Sequence, residues 1–197
     1  MKVIEPPKGW EMPSIKEIIG HRDLLLFLVK RDIKVLYAQT VLGFAWAVLN
    51  PLIQIIVFSI IFGRLAGLES DGYPYFLFST IAIVPWNYMS NSMSASSQSL
   101  VTGQAMLGKV YFPRVIYPIT PVLSQLVDFS ISLVLIAVVR VYYGVAPTWQ
   151  MLYLPIFVVM MVLIPISVGL WLSSLAIRFR DVKFAMPFII RMMIYSA

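Results

Sequence analysis

The sequence is poor in the residues that build metal sites, thiol sites and charged surfaces. It has no cysteine, one histidine, and charge on 12% of its 197 residues. Without cysteine there is no disulfide framework and no thiol chemistry, and the lone His21 excludes a histidine cluster around a metal ion. The alternating segments of a transmembrane β-barrel are also missing. A membrane-embedded enzyme or scaffold built on clustered ionisable groups is disfavoured, because the apolar runs hold a single acid, Asp128.

Apolar residues, by contrast, are abundant and arranged in long runs. They make up 60% of the chain and the mean hydropathy is +0.87, whereas soluble domains are about 45–50% apolar. A helix needs about 20 apolar residues to cross a ~30 Å hydrocarbon core. We therefore predict an all-α polytopic membrane protein with four full transmembrane helices and the start of a fifth. The predicted spans are residues 41–63, a second from Tyr73, 115–139, 151–177, and a fifth from Phe184.

The first 40 residues predict a cytoplasmic lead followed by a short helix. Ser14 and Glu17 fit a capping box at a helix start. The apolar residues that follow share one helical arc, opposite Asp23 and three basic residues. The arc comprises Leu25, Leu26, Val29, Ile33 and Leu36, and the basic residues are Lys30, Arg31 and Lys34. A basic amphipathic helix beside a span is typical of the membrane interface, and packing on a soluble domain is the alternative. Residues 41–197 form the predicted transmembrane domain.

The distribution of basic residues predicts the topology. Twelve of the 15 Lys and Arg lie before the first span, between the second and third, or between the fourth and fifth. The two opposite loops contribute only Arg64 and Arg140. The positive-inside rule then places the N-terminus in the cytoplasm. It also explains the net charge of +6 without a nucleic-acid partner.

Polar residues inside the first two spans are candidates for a substrate path. Trp46, Asn50 and Gln54 recur every four residues and form one helical stripe. The second span contains Trp86, Asn87 and Asn91, and eight of its residues 90–99 are polar. Amides in a span either join helices or line a wet path, and both interpretations are open for this stripe. For the serine-rich segment we expect one packed face and one wet face.

Asp128 lies in the middle of the third span. An ionisable group there costs about 2.5–3.5 kcal/mol on insertion scales, so its side chain should face protein or water. Gln125 and Ser132 share its helical face. Asp128 is either a carboxylate of the substrate path or the partner of a serine or amide on a neighbouring span. The predicted path comprises Trp46, Asn50, Gln54, Trp86, Asn87, Asn91 and Asp128.

Residues 103–109 resemble a phosphate-binding loop but break its pattern. The position after Lys109 needs a Ser or Thr hydroxyl to ligate magnesium, and the residue there is Val110. Such a loop also follows a buried strand, whereas this one follows a serine-rich helix. We predict no nucleotide site and no cofactor in this chain, so any ATP-driven role requires a partner.

Four groups of residues, in order along residues 20–190, resemble one family. They are Arg31-Asp32-x-Lys34-x-x-Tyr37-x-Gln39-Thr40-x-Leu42-Gly43-x-x-Trp46 with Pro51, then Pro85-Trp86 with its Asn/Ser-rich run, Lys109-Val110-Tyr111-Phe112-Pro113-Arg114 with Pro118, and Arg180-Asp181-Val182. Together they resemble the type-2 ABC permeases of bacterial polysaccharide export. Those permeases move O-antigen, capsule or teichoic acid chains.

The resemblance implies a six-span subunit that works as a homodimer with two ATP-binding subunits in the bacterial cytoplasmic membrane. It implies a lipid-linked glycan substrate, with ATP and magnesium bound by the partner. Two cytoplasmic loops are expected to dock on that ATPase through Lys109, Tyr111, Phe112, Arg114, Arg178, Arg180 and Asp181. Against six spans, this sequence is expected to be incomplete at its C-terminus. A type-2 exporter of drugs or small lipids is the alternative, and neighbouring glycosyltransferase genes would favour the glycan.

Overall fold

A computed structural model describes residues 15–37, 43, 45–65, 67, 70, 72–104, 113–179 and 181–194. Every regular element within these residues is helical, which confirms the all-α prediction. The elements are α1 (Ile15–Gly20), α2 (Arg22–Tyr37), α3 (Ala45–Phe58) with a π-helical extension (Ser59–Leu65), α4 (Tyr75–Thr102), α5 (Ile116–Tyr142), a 3-10 turn (Trp149–Tyr153), α6 (Leu154–Arg178) and α7 (Val182–Met193).

Three helical segments of the described residues are long and apolar enough to cross a membrane. They are Ala45–Leu65, Ile116–Tyr142 and Trp149–Arg178, and they coincide with the first, third and fourth predicted spans. α4 is not among them because its second half is rich in serine. Its 28 residues extend over about 42 Å at ~1.5 Å per residue, longer than the ~30 Å hydrocarbon core. The count of four full spans therefore stays a prediction that depends on α4.

α4 is the central helix, packed against both α5 and α6. Its serines are divided between two faces, as expected from the sequence. The packed face is fully or almost fully buried and contains Ser92, Ser96, Ser97 and Ser99. Small side chains let helix backbones approach closely. Ser96 uses this proximity to donate a hydrogen bond of 2.7 Å to the Pro118 carbonyl of α5.

An apolar core joins α3, α4 and α5. Tyr88 of α4 stacks at a tilt against Phe129 of α5, with ring centroids 4.9 Å apart. The Tyr88 hydroxyl donates to the Val122 carbonyl at 3.3 Å, so its polar end is satisfied within the bundle. The other members of the buried cluster are Ile55 of α3, Ile83 and Val84 of α4, and Val122 of α5.

The N-terminal helix α2 packs on the bundle through Leu28, which lies outside the predicted arc, and through the partly buried Leu25, which belongs to it. Leu28 is fully buried and contacts the cluster that contains Leu100 and Ile116. Leu26 and Leu36, which belong to the predicted arc, are 53% and 44% exposed. The bundle therefore covers one edge of the apolar surface of α2 and leaves the rest of the arc open. A position in the membrane interface, with that open surface toward lipid, stays a prediction.

Candidate functional site

A cavity of about 190 Å³ lies between α2, α3, α4 and α5. It brings together five of the seven residues that the sequence predicted for the substrate path, namely Trp46, Asn50, Asn87, Asn91 and Asp128. Leu36, Tyr37, Gln125 and Ser132 also line it. Residues from positions 36 to 132 thus meet at one place inside the helix bundle.

Helical periodicity explains why each helix presents a polar face to this cavity. Residues three or four apart lie on the same side of a helix. Of the lining residues with amide, carboxylate, serine hydroxyl or indole groups, two lie one turn apart on α3, two lie one turn apart on α4, and three lie on α5. These residues are Trp46 and Asn50, Asn87 and Asn91, and Gln125, Asp128 and Ser132.

The amide stripe of α3 has two roles in the structure. Asn87 Nδ2 of α4 donates a hydrogen bond of 2.7 Å to Gln54 Oε1 of α3. Gln54 therefore joins two helices, as one of the two sequence interpretations proposed. Asn50 and Asn91 are exposed, and their side chains form no hydrogen bond within the described residues. These two amides are available to a molecule in the cavity.

Trp86 does not join the other predicted path residues. It is half-buried on α4, next to Asn87 in sequence, and it is not among the residues that line the cavity. The wall that α4 contributes to the cavity is formed by Val84, Asn87, Tyr88 and Asn91, and Trp86 lies outside it.

Asp128 is hydrogen-bonded by a tyrosine at the end of α2. The Tyr37 hydroxyl donates a hydrogen bond to Asp128 Oδ1. The sequence analysis expected a serine or an amide of a neighbouring span as the structural partner, and the partner type was wrong. Tyr37 lies 91 residues earlier in the chain. Its only sequence signal was its place in the first motif of the family resemblance, before Trp46.

The chemistry of the cavity suits a ligand rich in hydroxyl groups. Amides both donate and accept hydrogen bonds, and a carboxylate accepts them strongly. The indole ring of Trp46, which is 42% exposed, adds a flat apolar surface. Aromatic faces and amides together can contact a sugar ring, on its apolar side and through its hydroxyls respectively.

The predicted ATPase-contact residues that the structure describes lie at one end of the bundle. Arg114 is exposed immediately before α5, and Arg178 is the exposed last residue of α6. α5 and α6 contact each other and are joined through residues 143–153, so the start of α5 and the end of α6 lie at the same end of the bundle. Asp181 is exposed beside them, and the Arg178 guanidinium lies 5.7 Å from the Phe179 ring centroid. Lys109, Tyr111, Phe112 and Arg180 lie outside the described residues.

Comparison with known proteins identifies the relatives of this chain. Residues 23–197 match the family described as ABC-2 type transporter. An O-antigen export system permease protein RfbA from Myxococcus xanthus is 29% identical over 169 residues, which is 86% of this chain and 64% of that protein. One of the same name from Klebsiella pneumoniae is 27% identical over 174 residues, or 88% of this chain and 66% of the relative. The chain thus spans slightly less than two thirds of these relatives.

Proposed function

Since the chain belongs to the ABC-2 type transporter family, we propose that it is the permease subunit of an ATP-driven exporter of a lipid-linked polysaccharide. The observation that carries the proposal is the cavity where Trp46, Asn50, Asn91 and Asp128 meet. The names of the relatives support a glycan rather than a drug or small lipid as cargo. The chain itself is a transport subunit and not an enzyme in this proposal, and ATP and magnesium belong to a partner.

The proposed location is the bacterial cytoplasmic membrane. The protein is a multi-pass membrane protein, and three apolar helices among its described residues are long enough to span. We place its N-terminus and the end of the bundle that carries Arg114 and Arg178 in the cytoplasm. Leu28 of α2 supports this placement, because it packs against Ile116 at the start of α5 and so brings the basic N-terminal helix to the same end.

In this proposal α4 is the fourth full span. A helix with a polar face is costly in contact with lipid, but α4 is packed between α5 and α6, which cover its serines. The remaining polar face then lines an internal path. Two copies of the permease with two ATP-binding subunits would form the working exporter.

The function is tested by deleting the gene in its native host. Polymer should disappear from the cell surface and accumulate inside, and the full-length gene should restore export. A strain that lacks the gene but displays a normal amount of polymer would exclude the proposed cargo. Resistance to small hydrophobic compounds should be unchanged, and a loss of resistance with normal polymer would favour drug export instead.

The purified permease should hydrolyse no ATP on its own. The basis is Val110, where a phosphate-binding loop needs a hydroxyl for magnesium. Phosphate release is measured with and without the ATP-binding partner. Turnover that persists without the partner and is lost on Lys109→Ala would overturn the prediction.

The end of α6 should contact the ATP-binding subunit. Phe179 is 51% exposed there, between the basic Arg178 and the acidic Asp181. Because residues 1–197 contain no cysteine, Phe179→Cys introduces one crosslinking site into this part of the protein, and we expect a crosslink to the ATPase within the cell. Thr148→Cys, in the exposed connection between α5 and α6, is the matched control and should give none. Labelling of Phe179→Cys from outside intact cells would contradict the proposed cytoplasmic position of the end of α6.

A further inference from the structure

A second, larger cavity adjoins the candidate site. Its volume is about 540 Å³, which lies within the range of roughly 300–1,000 Å³ typical of small-molecule sites. It lies between α2, α4 and α5, and we call it the vestibule. Its lining includes Arg31, Asp32, Asn91, Ser94, Gln98 and Gln125.

The vestibule and the smaller cavity share part of their walls. Asn91 and Gln125 line both. The polar lining therefore continues from Arg31 on the N-terminal helix to Asp128 inside the bundle. In the proposed topology this direction leads from the cytoplasmic side toward the middle of the membrane.

The charged end of the vestibule is electrically balanced and still able to bind hydroxyl groups. Arg31 Nε and Nη2 both donate to the same oxygen, Asp32 Oδ1, at 3.0 and 2.8 Å. Asp32 Oδ2 and Arg31 Nη1 have no protein partner within the described residues. Because the two charges compensate each other, the pair favours a neutral ligand that both donates and accepts hydrogen bonds over a free anion.

The wet face of α4 supplies the rest of the polar lining. Asn91, Ser94 and Gln98 follow one another at helical spacing on the side opposite the packed serines. Their side chains form no hydrogen bond within the described residues. A row of uncommitted amides and a hydroxyl, with a carboxylate at one end, matches the dense hydroxyl groups of a sugar.

We propose that the vestibule is a sugar-binding site that holds a residue of the polymer before it enters the smaller cavity. This inference rests on the proposed function, since it assigns a second subsite to the same cargo. It makes the N-terminal helix part of the substrate site, through Arg31 and Asp32, in addition to its packing role through Leu28.

The test compares three cysteine variants of the permease, with any cysteine outside residues 1–197 replaced by serine, in cells with its ATPase partner. Ser94→Cys reports on the vestibule, Asn50→Cys on the smaller cavity, and Thr148→Cys on an exposed connection remote from both. Permeabilised cells are treated with a methanethiosulfonate reagent, with synthesis of the cell's own polymer either active or blocked. Polymer should slow the labelling of Ser94→Cys about threefold or more, the effect of roughly two-thirds occupancy. Thr148→Cys should label at one rate in both conditions.

The outcomes distinguish a failure of the vestibule proposal from a failure of the proposed export function. Protection at both Ser94→Cys and Asn50→Cys supports the vestibule as part of the route. Protection at Asn50→Cys alone overturns the vestibule and leaves the proposed export path standing. Protection at neither position overturns both. A slower rate at Thr148→Cys as well would show a general effect of the polymer and would also count against the vestibule.

Discussion

Replacing Gly169 with alanine should clearly destabilise the helix bundle. Gly169 of α6 is buried against α4, and a Cβ atom there would overlap the side chain of Ser96. Ser96 cannot move freely, because its hydroxyl is bonded to the Pro118 carbonyl of α5. Overpacking of this kind costs about 1–3 kcal/mol. We expect a clear fall in thermal stability in detergent, and little folded protein for Gly169→Leu.

Two further variants decide whether the contact with Ser96 is the cause. Gly20→Ala is the matched control, because a Cβ atom at Gly20 would meet nothing within 4 Å, and it should leave stability unchanged. Ser96→Gly removes the overlapping side chain, so the double variant Ser96→Gly/Gly169→Ala should lose less stability than the sum of the single losses. Additive losses, or a stable Gly169→Ala protein, would contradict close packing of α4 on α6.

The positions of the helices could be predicted from the sequence because hydropathy is a local property. Runs of apolar residues marked α3, α5 and α6 within a few residues of their observed bounds. The two faces of α4 also follow from helical spacing. The sequence could not show which neighbour covers the serine face, since Gly169 and Pro118 meet Ser96 only after the bundle has assembled.

Five of the seven residues predicted for the substrate path line the candidate site, but its geometry could not be predicted from the sequence. Polar residues are easily recognised in apolar runs, and this is how the sequence analysis found five residues that line one cavity. Their different roles depend on long-range contacts. Gln54 became a link between helices because Asn87 lies opposite it, whereas Asn50 faces open space. The contact of Tyr37 with Asp128 joins residues 91 positions apart, which no local pattern indicates.

Removing both uncommitted amides of the smaller cavity should strongly reduce polymer export. Asn50 and Asn91 are exposed there and form no hydrogen bond within the described residues. If each contributes a hydrogen bond worth about 0.5–1.5 kcal/mol to the moving polymer, the variant Asn50→Ala/Asn91→Ala should export about fivefold more slowly or worse. Membrane insertion and ATPase pairing should be normal, because neither amide holds helices together. Export is measured as surface polymer against time.

Gln54→Ala is the matched comparison, since it removes an amide from the same stripe one turn along the helix. Gln54 accepts the hydrogen bond of Asn87, so its loss should reduce thermal stability, whereas export per folded molecule should change less than in the double variant. Trp86→Ala tests whether the polymer contacts α4 outside the smaller cavity, because Trp86 does not line that cavity. A strong export defect in Trp86→Ala would show that the route extends beyond the smaller cavity. If instead Asn50→Ala/Asn91→Ala exports normally, or fails only because the protein is degraded, these amides have a structural role and the polymer passes elsewhere.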